Sequence, residues 1–474
     1  MTAMAMDMDY PALLPEIILL ATAVLVLLGG SFLPRTRQHP TRWLTLGALV
    51  ASAATGMAAV PGGPESIFSG TYALDPSTAV VRMAAPLATL VVVLLGRHEF
   101  AGTARESETY ALLLLATLGT VVIGGTTDLL VLVAGYLLAS IPLYALIGLS
   151  RSGMAAEATL KTYLIGALSG VLLMAGVAVL TAVAGTSGYA GMTEALPQAP
   201  QAAVAGGAVA VLIGLTFKAG AVPGHFWIPD ASQASGIGIA AFITTVPKIG
   251  ALVAMGRLVA LMPATVDVPL LVAVLAAASM GIGNLAALAQ ENVRRLLGWS
   301  TVSQVGYLLM PVAVITRSEG ASVALLAYIV FYALTNLAVF AVVACFPRRE
   351  ELGDWVGLAR GHPWLTGSLV VGALSLVGTP PTAVFLGKVA VFTVAWNGGM
   401  SWLVVFAAAN TVLSLVYYLR LIRPAFHPAG DCSTGLSTAP REVARTVVAT
   451  AMVLGALVLA AGAVGAGIWF AVAG

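Results

Sequence analysis

Lysine is nearly missing from this sequence. Of 22 basic residues in 474, four are lysines (Lys161, Lys218, Lys248 and Lys388), which leaves eighteen arginines. Charge of either sign is scarce, at 9% of residues against roughly 25% in soluble domains, while hydrophobic residues reach 59%. An ordinary soluble domain is thereby excluded. A net charge of +2 offers no basic surface to a nucleic acid, so none is expected as a partner. The two cysteines, Cys345 and Cys432, stand far apart and in no CxxC spacing. They exclude a disulfide framework and argue against any metal or iron–sulfur site held by this chain alone. Walker and strand-bound GxGxxG motifs are missing too, so the chain binds no nucleotide of its own.

What remains is long apolar runs and 51 glycines, the composition of helices packed closely in a membrane. Runs of about 20 residues span a bilayer. They predict fourteen helices, near 11–33, 42–61, 76–96, 109–127, 128–149, 158–184, 203–223, 235–262, 267–289, 295–315, 320–345, 364–392, 400–425 and 443–471. The first run follows Asp7 and Asp9, so it reads as a helix and not as a basic-led signal peptide. Fifteen of the eighteen arginines fall in alternate connections, from Arg35, Arg37 and Arg42 through Arg294 and Arg295 to Arg441 and Arg445. By the positive-inside rule that side is cytoplasmic, which puts both termini outside a multi-pass plasma (inner) membrane protein. Arg82, Arg257 and Arg317 are the exceptions. The connections are too short for a soluble domain. The expected layout is one membrane domain: a three-helix segment (1–105), two five-helix repeats (106–263 and 264–426) and a last helix (427–474).

Two helices are interrupted in corresponding places. The seventh carries Phe217-Lys218-Ala219-Gly220-Ala221-Val222-Pro223-Gly224, and the twelfth carries Gly378-Thr379-Pro380-Pro381-Thr382 ahead of Gly387-Lys388. Proline removes a backbone donor and clashes with the preceding turn, so Pro223, Pro380 and Pro381 mark breaks. Irregular backbone at membrane depth survives only where protein or water satisfies it. Paired breaks five helices apart point to inverted repeats with an ion site at each. A kink made only for packing is the plainer alternative, but a lysine accompanies each break, and intramembrane charge is costly.

These residues resemble a known family. Phe217-Lys218 through His225-Phe226-Trp227-Ile228-Pro229-Asp230, with Val246-Pro247-Lys248, is similar to the proton-translocating antiporter-like subunits of respiratory complex I. Leu14-Pro15-Glu16, Pro142-Leu143-Tyr144-Ala145-Leu146, Arg294-Arg295-Leu296-Leu297-Gly298-Trp299-Ser300 and Tyr332-Ala333-Leu334-Thr335-Asn336-Leu337 narrow the likeness to the subunit N family of bacterial NADH:quinone oxidoreductases. The resemblance implies an all-α fold of fourteen helices with two inverted repeats. It also implies a line of buried lysines that carries protons: Lys161, Lys218, Lys248 and Lys388. Desolvation favours the neutral amine and a nearby carboxylate favours the ammonium, so moving charge near such a lysine switches it between loading and release. Quinone, FMN and iron–sulfur clusters are expected in the partner subunits of the membrane and peripheral arms, and neither a cofactor nor a metal in this chain.

Two positions depart from the family pattern. Leu137 stands where a fifth-helix glutamate is usual, and Gln304 stands where a tenth-helix histidine is usual. Glutamine orders water but does not titrate. Glu157, four residues before Lys161, is a candidate replacement carboxylate or a solvated surface pair. His225 and Asp230 are candidate groups for proton uptake on the cytoplasmic side, and Asp230 could equally cap the eighth helix. The expected function is a complex I membrane-arm subunit that translocates protons while its partners reduce quinone. The alternatives are a subunit of a sodium/proton antiporter or of a membrane-bound hydrogenase, or a non-pumping scaffold.

Overall fold

The computed structural model describes residues 9–35, 37–58, 65–428 and 445–473, so Asp7, Cys432 and Arg441 lie outside the described residues. The helices of eight or more residues are α1 (Leu14–Phe32), α2 (His39–Ala58), α3 (Pro76–Leu95), α4 (Glu106–Gly125), α5 (Leu129–Gly148), α6 (Gly153–Ala184), α7 (Gln201–Ala219), α8 (Trp227–Ala234) and α9 (Ile237–Leu261). They continue as α10 (Val268–Leu288), α11 (Val293–Ala313), α12 (Ala321–Ala344), α13 (Pro363–Val377), α14 (Ala383–Asn397), α15 (Ser401–Phe426) and α16 (Arg445–Ala473). Among the described residues, eleven helical stretches are long and apolar enough to cross a membrane. Helices α2 and α11 and the interrupted pair α13–α14 complete the fourteen. One element was not expected. A two-stranded antiparallel hairpin, β1 (Glu65–Ile67) and β2 (Tyr72–Leu74), pairs Glu65 with Leu74 and Ile67 with Tyr72. It is too short to leave a periodic signal.

The chain divides into two compact units. One holds residues up to Leu90, Phe100–Trp227 and Val246–Val272; the other holds Val91–Glu99, Ile228–Thr245 and the remainder from Ala273. In the first, α1 packs on α2 and α4, α4 on α5, and α6 on α7. In the second, α12 packs on α13, α14 and α16, and α13 on α15. Between apolar helices in lipid the hydrophobic effect supplies little, so close van der Waals contact has to. Small residues provide it: a Cβ on Gly176 of α6 would meet the Gly207 carbonyl of α7 at 2.6 Å.

Two of the three arginine exceptions, Arg82 and Arg257, are explained by their partners. Arg82 is 1% exposed, and its Nε lies 2.7 Å from Oε1 of Glu16. Arg257 donates from Nη2 to Asp75 at 2.8 Å and to Thr78 at 3.0 Å, and from Nε to the Gly124 carbonyl at 3.0 Å. Burial pushes the Asp75 carboxyl up, but hydrogen bonds and charge from Arg257 outweigh it and hold the group below its usual range.

The alternate connections also meet one another. Glu99, between α3 and α4, accepts from the Ile237 and Gly238 backbone N–H groups at 2.5 and 3.0 Å, capping α9. Arg294 and Arg295 at the start of α11 reach the connection before α9, donating to Ser235 O at 2.6 Å and to Asp230 at 2.6 Å. These contacts gather the third, seventh and ninth connections of the fourteen-helix reading on one side, as alternation requires.

Cys345, at the end of α12, is buried and donates to the Ala341 carbonyl at 3.3 Å, and burial pushes its thiol up to about 12. A thiol that stays protonated is a poor nucleophile. Maleimide at pH 8 is therefore expected to leave Cys345 unlabelled in the native protein and to label it after denaturation. Native-state label at Cys345, mapped by peptide mass spectrometry, would contradict this placement.

Candidate functional site

Both expected breaks are present, and they close in the same way. Helix α7 ends at Ala219 with Gly220 left-handed (φ 79°), and α13 ends at Val377 with Gly378 left-handed (φ 91°). Gly220 and Ala221 donate back to the Thr216 carbonyl, and Gly378 and Thr379 to the Leu374 carbonyl. Each break contains a cis X–Pro bond, Val222–Pro223 in one and Pro380–Pro381 in the other. Gly378 is required twice over: for its positive φ, and because a Cβ there would meet Cδ of Lys388 at 2.8 Å.

The lysines at the two breaks are placed differently. Lys218 precedes its break, in the last turn of α7, and is fully buried. Its Nζ donates to Ser140 Oγ on α5 at 2.6 Å and lies 5.1 Å from the centre of the Tyr136 ring. Ser140 in turn donates to the Tyr136 carbonyl at 2.6 Å. Lys388 follows its break and reaches back across it, donating to Val377 O at 2.8 Å and to Thr411 Oγ1 at 3.3 Å. Its Nζ sits 4.0 Å from the centre of the Tyr307 ring. Lys248, on α9, is 1% exposed.

Lys161 differs from these three. Its ammonium pairs with Glu157 at 2.6 Å, but the two side chains are 48% and 64% exposed. Both residues lie on the face of α6 turned away from its neighbours, so the expectation of a buried Lys161 is corrected, and Glu157 does not reach Lys218. An exposed i,i+4 pair of this kind contributes a few tenths of a kcal/mol, about 0.3–0.5 in helices.

Leu137 is 39% exposed. The stripe of α5 that meets Lys218 is Tyr136 and Ser140, four apart, and Leu137 stands one position round the helix. Sequence reading singled out Leu137 and missed Ser140. The signal available was spacing: 136 and 140 share a helix face.

The other candidates occupy definite places. His225 is buried between α7 and α8, its ring 4.1 Å from that of Phe226, and burial holds the imidazole below its ordinary range despite a hydrogen bond with the Pro223 backbone. Asp230 is ion-paired with Arg295 at 2.6 Å and does not cap α9; Glu99, which sequence reading passed over, does. Burial pushes the Glu99 carboxyl up, against the pull of the two N–H groups and Arg294. Gln304 is fully buried and tied at both ends: Nε2 donates to Leu376 O at 2.8 Å, and Oε1 accepts from Tyr328 at 2.7 Å. Among the described residues no group of three or more His, Cys, Asp or Glu side chains is placed to hold a metal ion.

Chemically, the site offers three buried primary amines, and the described hydrogen-bond partners of Lys218 and Lys388 are neutral. A hydroxyl such as Ser140 accepts from an ammonium and, by turning its one hydrogen away from the Tyr136 carbonyl, can donate to an amine. Among the described residues no carboxylate is ion-paired with Lys218 or Lys388.

Comparison with known proteins adds the following. Residues 126–414 match the family described as NADH:quinone oxidoreductase/Mrp antiporter, TM. The chain is 48% identical over 449 residues to NADH-quinone oxidoreductase subunit N of Mycobacterium sp. (strain JLS), covering 93% of this chain and 95% of that one. It is 49% identical over 454 residues to NADH-quinone oxidoreductase subunit N 1 of Streptomyces griseus subsp. griseus, covering 95% and 96%. A chain of respiratory complex I from Thermus thermophilus with bound Aureothin superposes with a TM-score of 0.82 at 31% identity, over 95% of this chain and 97% of that one.

Proposed function

We propose, from the premise that this chain belongs to the NADH-quinone oxidoreductase subunit N family and is a membrane-arm subunit of complex I, that it carries protons on Lys218, Lys248 and Lys388. Its partners in the membrane are other complex I subunits. Electron transfer from NADH to quinone, with its flavin and iron–sulfur carriers, is assigned to those partners. The protein is placed in the plasma membrane with its arginine-rich connections in the cytoplasm, because positively charged connections are retained there.

The observation that carries this reading is the surroundings of the lysines. Leaving a charge in a membrane core costs several kcal/mol, roughly 2.5–3.5 on insertion scales, and would be removed if it served nothing. Here Lys218 and Lys388 face hydroxyls, a carbonyl and ring faces, which tolerate both loaded and unloaded states. Lys161, exposed and paired, is assigned no part in the path.

The test is Lys388→Ala in the intact complex, in inverted membrane vesicles, following proton uptake against NADH oxidation. Fewer protons per electron are expected, with electron transfer partly retained. An unchanged ratio would remove Lys388 from the path.

A further inference from the structure

The last four carbonyls of a helix have no partner within it, and in α13 all four are accounted for. Gly378 N donates to Leu374 O at 3.1 Å and Ser375 O at 2.8 Å, and Thr379 N donates to Leu374 O at 3.1 Å. The remaining two are taken by side chains from other helices. Gln304 of α11 donates to Leu376 O at 2.8 Å, and Lys388 of α14 donates to the next oxygen, Val377 O, at 2.8 Å. The Gln304 carboxamide is itself fixed at its far end by the Tyr328 hydroxyl of α12, at 2.7 Å. Gln304 and Tyr328 are fully buried, and Lys388 is 3% exposed.

We propose that Gln304 is a positioning residue for Lys388: by gripping Leu376 O it fixes the end of the broken helix so that Val377 O faces the Lys388 ammonium. This rests on the reading of Lys388 as a proton carrier. Gln304 is then not a titrating relay but a tether, with one donor and one acceptor of its amide engaged. A carbonyl held against the lysine favours the ammonium over the amine, and a carbonyl free to swing away does so less. The titratable groups on the helices packed against α14 are Tyr307 of α11, Tyr328 and Tyr332 of α12, and Tyr417 and Tyr418 of α15. The charged groups on those helices, Arg294 and Arg295 of α11, Arg420 and Arg423 of α15 and Arg445 of α16, lie at helix ends. Lys388 is the charged residue in the middle of this arrangement.

The experiment measures protons per electron against pH in inverted vesicles containing the intact complex, with complex abundance followed on native gels. Gln304→Met keeps length and volume but cannot donate. It is expected to move the profile toward acid by about one pH unit, a tenfold change in proton binding. Gln304→His, which regains a ring N–H for Leu376 O, is expected to return the profile to the wild-type position. A uniform loss at all pH values with no displacement, or a Gln304→Met profile equal to wild type, overturns the inference. Should Gln304→Met fail to assemble, Tyr328→Phe frees the far end of the amide and is expected to give a smaller displacement in the same direction; none overturns it. Lys388→Ala, run in parallel, separates the two claims. If it leaves the ratio unchanged, the proton-carrier reading fails; if it lowers the ratio while the Gln304 variants behave as wild type, only the positioning role fails.

Discussion

Replacing Glu16 by alanine is expected to lower the stability and the accumulation of this protein severely. Glu16 on α1 accepts from Arg82 of α3 through both oxygens, at 2.7 and 2.9 Å, and from the Tyr72 hydroxyl of β2 at 2.6 Å. Arg82 also donates to the Ala12 carbonyl at 2.9 Å and lies 5.3 Å over the Tyr72 ring. One carboxylate thus joins two helices and the hairpin. Burial first, and then the neighbouring Glu16 charge, push the Tyr72 phenol well above its ordinary range, so it remains a donor at any physiological pH. The Arg82 and Glu16 side chains are only 2% and 8% exposed. Removing one member of a buried ion pair strands the other and costs about 3–5 kcal/mol. Whole domains are stable by about 5–15 kcal/mol, so a loss of this size is severe. Abundance on native gels and the melting temperature of the purified complex check it, and a wild-type melting temperature would contradict it. Removing both charges is often close to neutral, so Glu16→Leu with Arg82→Met is expected to recover much of the loss.

Much of this architecture was legible because membrane proteins write their chemistry along one dimension. Apolar runs have a required length, and arginines alternate sides. Glycine within two residues of proline, at Pro223-Gly224 and Gly378-Thr379-Pro380-Pro381, located both breaks, whereas Pro86, Pro142, Pro247, Pro311 and Pro424 stand without glycine so close and lie inside continuous helices. The limits appear where a side chain's neighbours come from another helix. Arg82 and Arg257 looked like misplaced charges until Glu16 and Asp75 were found against them. Lys161 sits in an apolar run as Lys218 does, yet a run does not say which face of a helix is covered by neighbours. On α6 the face carrying Lys161 is not. Helix α5 is apolar almost all round, so no amphipathic stripe marked Tyr136 and Ser140 as its inward face or Leu137 as turned outward. Gln304 was legible as a non-titrating residue at a titrating position. Its two-ended tether depends on Leu376, 72 positions away, and on the exact end of α13.

The placement of Ser140 yields the second large effect. Ser140→Asp puts a carboxylate where the hydroxyl now accepts from Lys218 at 2.6 Å. An opposite charge that close stabilises the ammonium by about 1–3 pH units. Lys218 then holds its proton to higher pH, and proton transport through it is expected to shift toward alkaline pH by a similar amount, with transport at neutral pH depressed. Leu137→Glu restores the residue usual in the family, but at a position 39% exposed on the neighbouring face of α5. Its carboxylate starts from a stripe other than the one Lys218 touches, so a much smaller displacement is expected. Protons per electron against pH in inverted vesicles distinguishes the two. A large shift from Leu137→Glu with none from Ser140→Asp would mean that the charge governing Lys218 acts from the outer face of α5, and that the Ser140 contact does not set its proton binding.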